Sequence, residues 1–212
     1  MDAIVVSFRG SNNLADWITN LAFAKTSYSC SRCKVHSGFN GAYEDLKNQV
    51  RSLVSAYRSS YPSAKLIMTG HSLGGAIASL AALDLTLNLE QVDAVYTFGS
   101  PRVGNYRFAM YYNSKVPNTF RVVNYRDTVA HMPWLSQGFN HNDYEIWYYP
   151  SGMSQYYFCT SNESYQCSNS LWWYEVDDHY LSNYLGMSTQ QSQIFKASRA
   201  SDQYNRKEME RL

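Results

Sequence analysis

The tightest constraint on this chain lies between residues 66 and 87. Leu66-Ile67-Met68-Thr69 is a short apolar run of strand character, Gly70-His71-Ser72-Leu73-Gly74-Gly75 interrupts it, and Ala76 to Leu87 has the Ala/Leu-rich composition of a buried helix. A serine with glycines two residues to either side, between a strand and a helix, calls for a sharp turn. Small residues relieve the crowding there, and the hydroxyl is presented at the C-terminal end of the strand and the N-terminus of the helix. The amide of Leu73 then points where an oxyanion would form. The Gly-x-Ser-x-Gly pattern alone is common. Its flanks make Ser72 a candidate nucleophile.

The same alternation runs through much of the chain. Ala3 to Phe8 reads as a buried strand, and Tyr43, Leu46, Val50, Leu53, Val54 and Tyr57 recur at helical spacing before Pro62. Val92 to Phe98 and Thr119 to Val123 are further strands, with a helix near Tyr106 to Tyr112 between them. Strands alternating with helices indicate an α/β domain around a mostly parallel sheet. Beyond Asp127 the pattern changes to aromatic strand-like runs, Tyr144 to Tyr149 and Gln155 to Cys159. No repeat or linker divides the chain. It is expected to form a single domain over residues 1–186, with a polar tail at 187–212 read as a surface helix or a frayed end. No basic leader or cleavage site precedes Ala3, the pattern expected of a processed or truncated chain.

Charge excludes some roles. Across 212 residues, 18 Lys+Arg against 17 Asp+Glu leave +1, without the basic excess that nucleic-acid binding needs. No apolar run is long enough to span a membrane. Aromatics reach 16% while charged residues are only 17%, which suggests an extracellular protein with a sticky face. Cys30, Cys33, Cys159 and Cys167 admit a zinc site, a redox Cys-x-x-Cys or two local disulfides. Ligand spacing disfavours zinc, and the polar loop around Cys30 disfavours redox chemistry. Two disulfides, and with them an oxidising compartment, are the expectation. Asn162-Glu163-Ser164 is a glycosylation sequon between the second pair, which agrees with secretion.

A nucleophilic serine on such a turn needs an acid and then a base later in the chain. His36 and His71 come too early, and His131 is only four residues past Asp127. His141 and His179 remain as bases. Asp127 directly follows the Thr119–Val123 strand, where a loop acid belongs, with Asp143, Asp177 and Asp178 as rivals.

These residues sit in blocks that resemble the class 3 lipases, the secreted fungal-type branch of the α/β-hydrolases. The blocks are Val6-Ser7-Phe8-Arg9-Gly10-Ser11, Val35-His36-Ser37-Gly38-Phe39, Thr69 to Gly75, Gly99-Ser100-Pro101-Arg102-Val103-Gly104-Asn105, Asn124-Tyr125-Arg126-Asp127-Thr128-Val129 with Pro133, Cys167-Ser168-Asn169-Ser170 and Asp178-His179-Tyr180. They follow in family order from residue 4 to about 186. The resemblance implies an α/β-hydrolase fold with Ser72 as nucleophile, Asp127 as acid and His179 as base, which leaves His141 a packed histidine near the site. It implies an oxyanion hole from the Leu73 amide and Ser11. It also implies a helix and one or more strands ahead of the segment that opens here, so N-terminal elements are expected to be missing.

Leu14, Trp17, Ile18 and Leu21 fall at i, i+3, i+4 and i+7, so a helix would gather them on one face. Periodicity alone fits a buried core helix equally. Beside Ser11, the segment resembles the family's mobile lid, which would cover the site when closed and extend an acyl-binding face when open at a lipid–water interface. The activity implied is a secreted triacylglycerol lipase acting on acylglycerols, needing no cofactor and no metal. A phospholipase A1 or a feruloyl-type esterase of the same fold is the alternative. A lipase-like binding protein without chemistry is the alternative from another class. Oligomeric state is not legible.

Overall fold

The computed structural model describes residues 2–11, 13, 18, 23–149 and 155–184. β1 (Ala3–Phe8) is followed by a short antiparallel pair, β2 (Lys25–Ser27) and β3 (Lys34–His36), and then by α1 (Ser37–Glu44) and α2 (Lys47–Ser60). β4 (Lys65–His71), α3 (Leu73–Asn88), β5 (Ala94–Phe98), α4 (Tyr106–Lys115) and β6 (Thr119–Asn124) continue the alternation. β7 (Glu145–Tyr148), β8 (Tyr156–Cys159) and α5 (Leu181–Tyr184) follow, with short 3-10 turns between them. One sheet runs β1-β4-β5-β6-β7-β8. It is parallel through β7 and closes with an antiparallel β7–β8 pair. The mostly parallel sheet read from the alternation is therefore present, and the aromatic runs form its last two strands.

The two faces of the sheet differ. Toward α3, Leu66 and Met68 of β4 and Val95 and Thr97 of β5 are fully buried, and every residue of α3 from Gly74 to Leu85 is buried. An all-round apolar helix has to lie inside. On the opposite face, Tyr96 of β5, Phe120 of β6, Tyr144 just before β7 and Phe158 of β8 stack in a row, with ring centroids 5.5 to 5.8 Å apart. Cross-strand aromatic neighbours of this kind stabilise a sheet by packing on one another rather than on a core. Four of the aromatics are placed here, with Tyr96 and Phe158 exposed.

The apolar stripe from Tyr43 to Tyr57 is expected as one helix and is found as two. The turn closes where the Asp45 amide donates to Gly41 O and the Leu46 amide to Tyr43 O. Tyr43, Val50 and Val54 enter the core, while Leu46, Leu53 and Tyr57 stay exposed. Leu53 and Tyr57 line a groove of about 730 Å³ along β1, facing Val5 and Val6. Periodicity identifies an apolar stripe without saying what covers it.

Both cysteine pairs are joined, Cys30 to Cys33 ahead of β3 and Cys159 to Cys167 beside β8. Asn162 is half-buried in the second loop, where its amide donates to Asp143 Oδ1 at 2.8 Å. Leu14, Trp17, Leu21 and the 187–212 tail lie outside the described residues. Ile18 is partly buried against the main core. Among the described residues no helix is long and apolar enough to cross a membrane.

Candidate active site

β4 and α3 meet at Ser72. Its φ of +58° and ψ of −131° lie in a region that side chains rarely adopt, and the turn is built to hold it there. A Cβ at Gly70 would come within 2.2 Å of Gly74 O, and one at Gly74 within 2.1 Å of Phe8 O, so only glycine fits either position. The Ser72 amide donates to Phe98 O at 2.9 Å, which ties the turn to β5. Ser72 is 3% exposed. Leu73 is the first residue of α3, so its amide has no intrahelical acceptor and sits at the positive end of the helix.

Asp127 follows β6 and is fully buried. Its Oδ1 accepts from the amides of Val129 at 2.7 Å and Ala130 at 3.3 Å. Its Oδ2 accepts from His179 Nδ1 at 2.7 Å and from the Tyr184 hydroxyl. Four donors on one carboxylate fix it in place and compensate its burial. Because Nδ1 donates to Asp127, the neutral His179 ring leaves Nε2 as a bare acceptor. Nε2 of His179 and Oγ of Ser72 are both buried without a hydrogen-bond partner among the described residues. Both line one cavity of about 550 Å³ together with Phe8, Gly10, Ser11 and Tyr180. The His179–Asp127 bond is therefore formed, and the His179 ring and the Ser72 hydroxyl face a common space without a bond between them. Catalytic hydrogen bonds are commonly this loose before substrate binds.

Ser11 lies at the mouth of the same cavity, exposed, with Oγ donating to Asn13 O at 3.3 Å. The backbone around it packs tightly on the turn, since a Cβ at Gly10 would lie 2.8 Å from His71 O. Leu73, Ser11, Ser72, Asp127 and His179 are thus drawn together from four separate stretches of chain. The other histidines are elsewhere. His141 Nε2 donates to Ala130 O at 2.5 Å, and His131 turns back only to the backbone, donating from Nδ1 to Asp127 O at 2.8 Å. Burial pushes both of their pKa values down. Asp143 caps the Asn162 amide and Asp178 accepts from the Arg126 amide at 3.3 Å, and among the described residues none of the rival carboxylates Asp143, Asp177 and Asp178 bonds a histidine ring.

The family model described as Lipase (class 3) matches residues 5–137. The chain belongs to the class 3 lipase family. A lipase of Rhizomucor miehei is 40% identical over 193 residues, 88% of this chain and 53% of that protein. A secreted mono- and diacylglycerol lipase of Fusarium solani is 41% identical over 145 residues, 68% of this chain and 43% of that one. This class 3 lipase chain spans about half the length of the curated relatives it matches. Among solved structures, one described as a triacylglycerol lipase whose catalytic centre is a serine protease triad aligns with a TM-score of 0.79 at 41% identity, covering 84% of this chain and 69% of that one. The α/β-hydrolase fold follows from these matches together with the mostly parallel sheet.

Two supports of the site in this class 3 lipase escaped sequence reasoning. Tyr184 is fully buried, donates to Asp127 and accepts from the Asn124 amide at 3.0 Å; burial, with the Asp127 charge adding to it, pushes its pKa well up. A tyrosine five residues past a histidine carries no signal in the sequence. Arg102, 2% exposed, grips both oxygens of Glu163 at 2.8 and 2.7 Å and donates to the carbonyls of His131 and Pro133. Burial opposes ionisation of Glu163, but Arg102 and Asn169 hold its carboxyl far below the usual range. Arg102 stood in a family block without an assigned role. Its partner is 61 residues away in sequence.

Proposed function

We propose that this chain is a secreted serine carboxylester hydrolase that releases fatty acids from acylglycerols at a lipid–water interface. The observation that carries the reading is the 2.7 Å bond from His179 to the buried Asp127, with His179 Nε2 and Ser72 Oγ lining the same cavity. In the proposed cycle Ser72 attacks the ester carbonyl and His179 Nε2 takes its proton. Asp127 holds the ring and stabilises the imidazolium. The oxyanion is held by the Leu73 amide and by Ser11. His179 then passes the proton to the departing alcohol, and water enters by the same route to release the acid.

Leu14, Trp17, Ile18 and Leu21 are assigned to a lid. Secretion is supported by the two disulfides, by the Asn162 sequon and by the likeness to the secreted Fusarium solani lipase. The test is hydrolysis of emulsified triglyceride with an organophosphonate label. Ser72→Ala is expected to lose at least about a thousandfold in kcat and to take no label. Full activity in that variant overturns the assignment. A lid predicts that rate per molecule rises once substrate exceeds its solubility, and a flat response removes the lid.

A further inference from the structure

His71, the last residue of β4, sits immediately before Ser72 and takes no chemical step in the proposed cycle. Its surroundings are nonetheless specific. The ring stacks on the His179 ring at 4.4 Å between centroids with 28° between planes, and Tyr184 meets it edge-on at 5.5 Å. Its Nε2 lies 2.8 Å from the carbonyl oxygen of His179. A carbonyl can only accept, so Nε2 carries the proton and donates. His71 also lines the cavity beside Ser72 and His179. A single side chain, one residue from the serine, thus grips the base through its backbone and lies flat against its ring.

We propose that His71 is a positioning residue that clamps His179 to the serine turn, so that Nε2 of the base is held at a fixed place relative to Ser72 Oγ. The need for such a clamp is visible in the fold. Ser72 is fixed by β4, β5 and α3, whereas His179 arrives on a three-residue turn, Asp177–His179, more than fifty residues after β6. Asp127 secures one edge of the ring, and that bond alone leaves rotation about the Nδ1–Oδ2 line. The stacked ring and the Nε2–H bond to the carbonyl remove it. Burial, with His179 adding to it, pushes the His71 pKa down to about 4, so the ring stays a neutral donor at working pH. A neutral π face also tolerates the imidazolium that forms on His179, where a second cation would repel it. The inference rests on the reading of Ser72 and His179 as nucleophile and base, and it adds a residue that acts through the base and takes no bond-making or proton-transfer step of its own.

The test compares His71→Phe, which keeps a stacked ring and loses the donor, with His71→Gln, which keeps an N–H donor near the same place. The readouts are kcat and KM on soluble p-nitrophenyl butyrate, with melting temperature alongside. Misplacement of a catalytic group by about 1 Å can cost a hundredfold, so His71→Phe is expected to lose roughly tenfold or more in kcat with KM within about twofold of the parent. His71→Gln is expected to recover much of that loss. Parental kcat in His71→Phe, a loss carried by KM alone, or no recovery in His71→Gln overturns the clamp. Should His71→Phe not fold, His71→Met, apolar and without a donor, takes its place. Ser72→Ala separates the two readings. If it stays active the nucleophile assignment has failed; if it is dead while His71→Phe is fully active, only the clamp has.

Discussion

At the scale of single residues, the candidate site depends on what surrounds Ser72, Asp127 and His179, the three groups proposed to react. The Tyr184 hydroxyl and His179 share one oxygen of Asp127, and the hydroxyl in turn accepts from the Asn124 amide. Removing it leaves that buried amide without its acceptor and Asp127 with three donors. Tyr184→Phe is therefore expected to cost about 1–3 kcal/mol of stability and to lower kcat severalfold, leaving KM near the parental value. Chemical denaturation and steady-state kinetics check the two parts, and unchanged values in both contradict the role. The serine itself was legible in the sequence, because a strand, a pair of glycines and an Ala-rich helix are all local. The histidine was not. Choosing His179 over His141 took the resemblance, since both lie in aromatic, polar stretches and only long-range packing places one of them beside Asp127.

At the scale of elements, the loop after β6 is held by a buried ionic cluster. Arg102 and Glu163 form a two-pronged pair, and the Arg102 guanidinium also holds the His131 and Pro133 carbonyls downstream of Asp127. The His141 amide adds a further bond to Glu163 at 2.7 Å. Truncating one member strands the other charge. Arg102→Met is expected to destabilise by about 3–5 kcal/mol, and the double variant Arg102→Met/Glu163→Gln to recover part of that loss. Thermal and urea unfolding measure both, and a double variant no better than the single one rejects the coupling. Most of the sheet could be read from alternating apolar runs, because β4, β5 and β6 are each short, apolar and followed by helices or turns. The break between α1 and α2 could not, since Leu46, Leu53 and Tyr57 continue the helical spacing while facing outward. Which strand pairs with which was equally hidden, because register is set by contacts between distant segments.

At the scale of the whole molecule, burial of several titratable groups sets a pH window. Burial lowers the pKa of His71 to about 4 and also lowers those of His131 and His141, so the unfolded chain binds protons below about pH 6.5 that the folded chain refuses. Their contribution is complete above that pH and is lost as pH falls toward 4. Glu163, depressed in the fold, adds a further loss at still lower pH. Burial raises the pKa of Tyr28, Tyr43, Tyr112 and Tyr184, which favours the fold below pH 10 and is lost above it. Melting temperature is expected to be flat from about pH 7 to 9 and to fall on both sides, and a rise on acidification contradicts this. A second property follows from how His179 is attached. Residues 177–184 join the rest of the fold without a strand of their own, through hydrogen bonds: the Asn124 side-chain amide to Asp178 O, the Arg126 amide to Asp178, the Asn124 amide to the Tyr184 hydroxyl, His71 to His179 O, and His179 and Tyr184 to Asp127. Such a leg can detach while the rest of the molecule stays folded. Under mild urea the proposed esterase activity should vanish while tryptophan fluorescence still reports a native core, and on dilution it should return as fast as residues 177–184 can re-dock, without waiting for the sheet to refold.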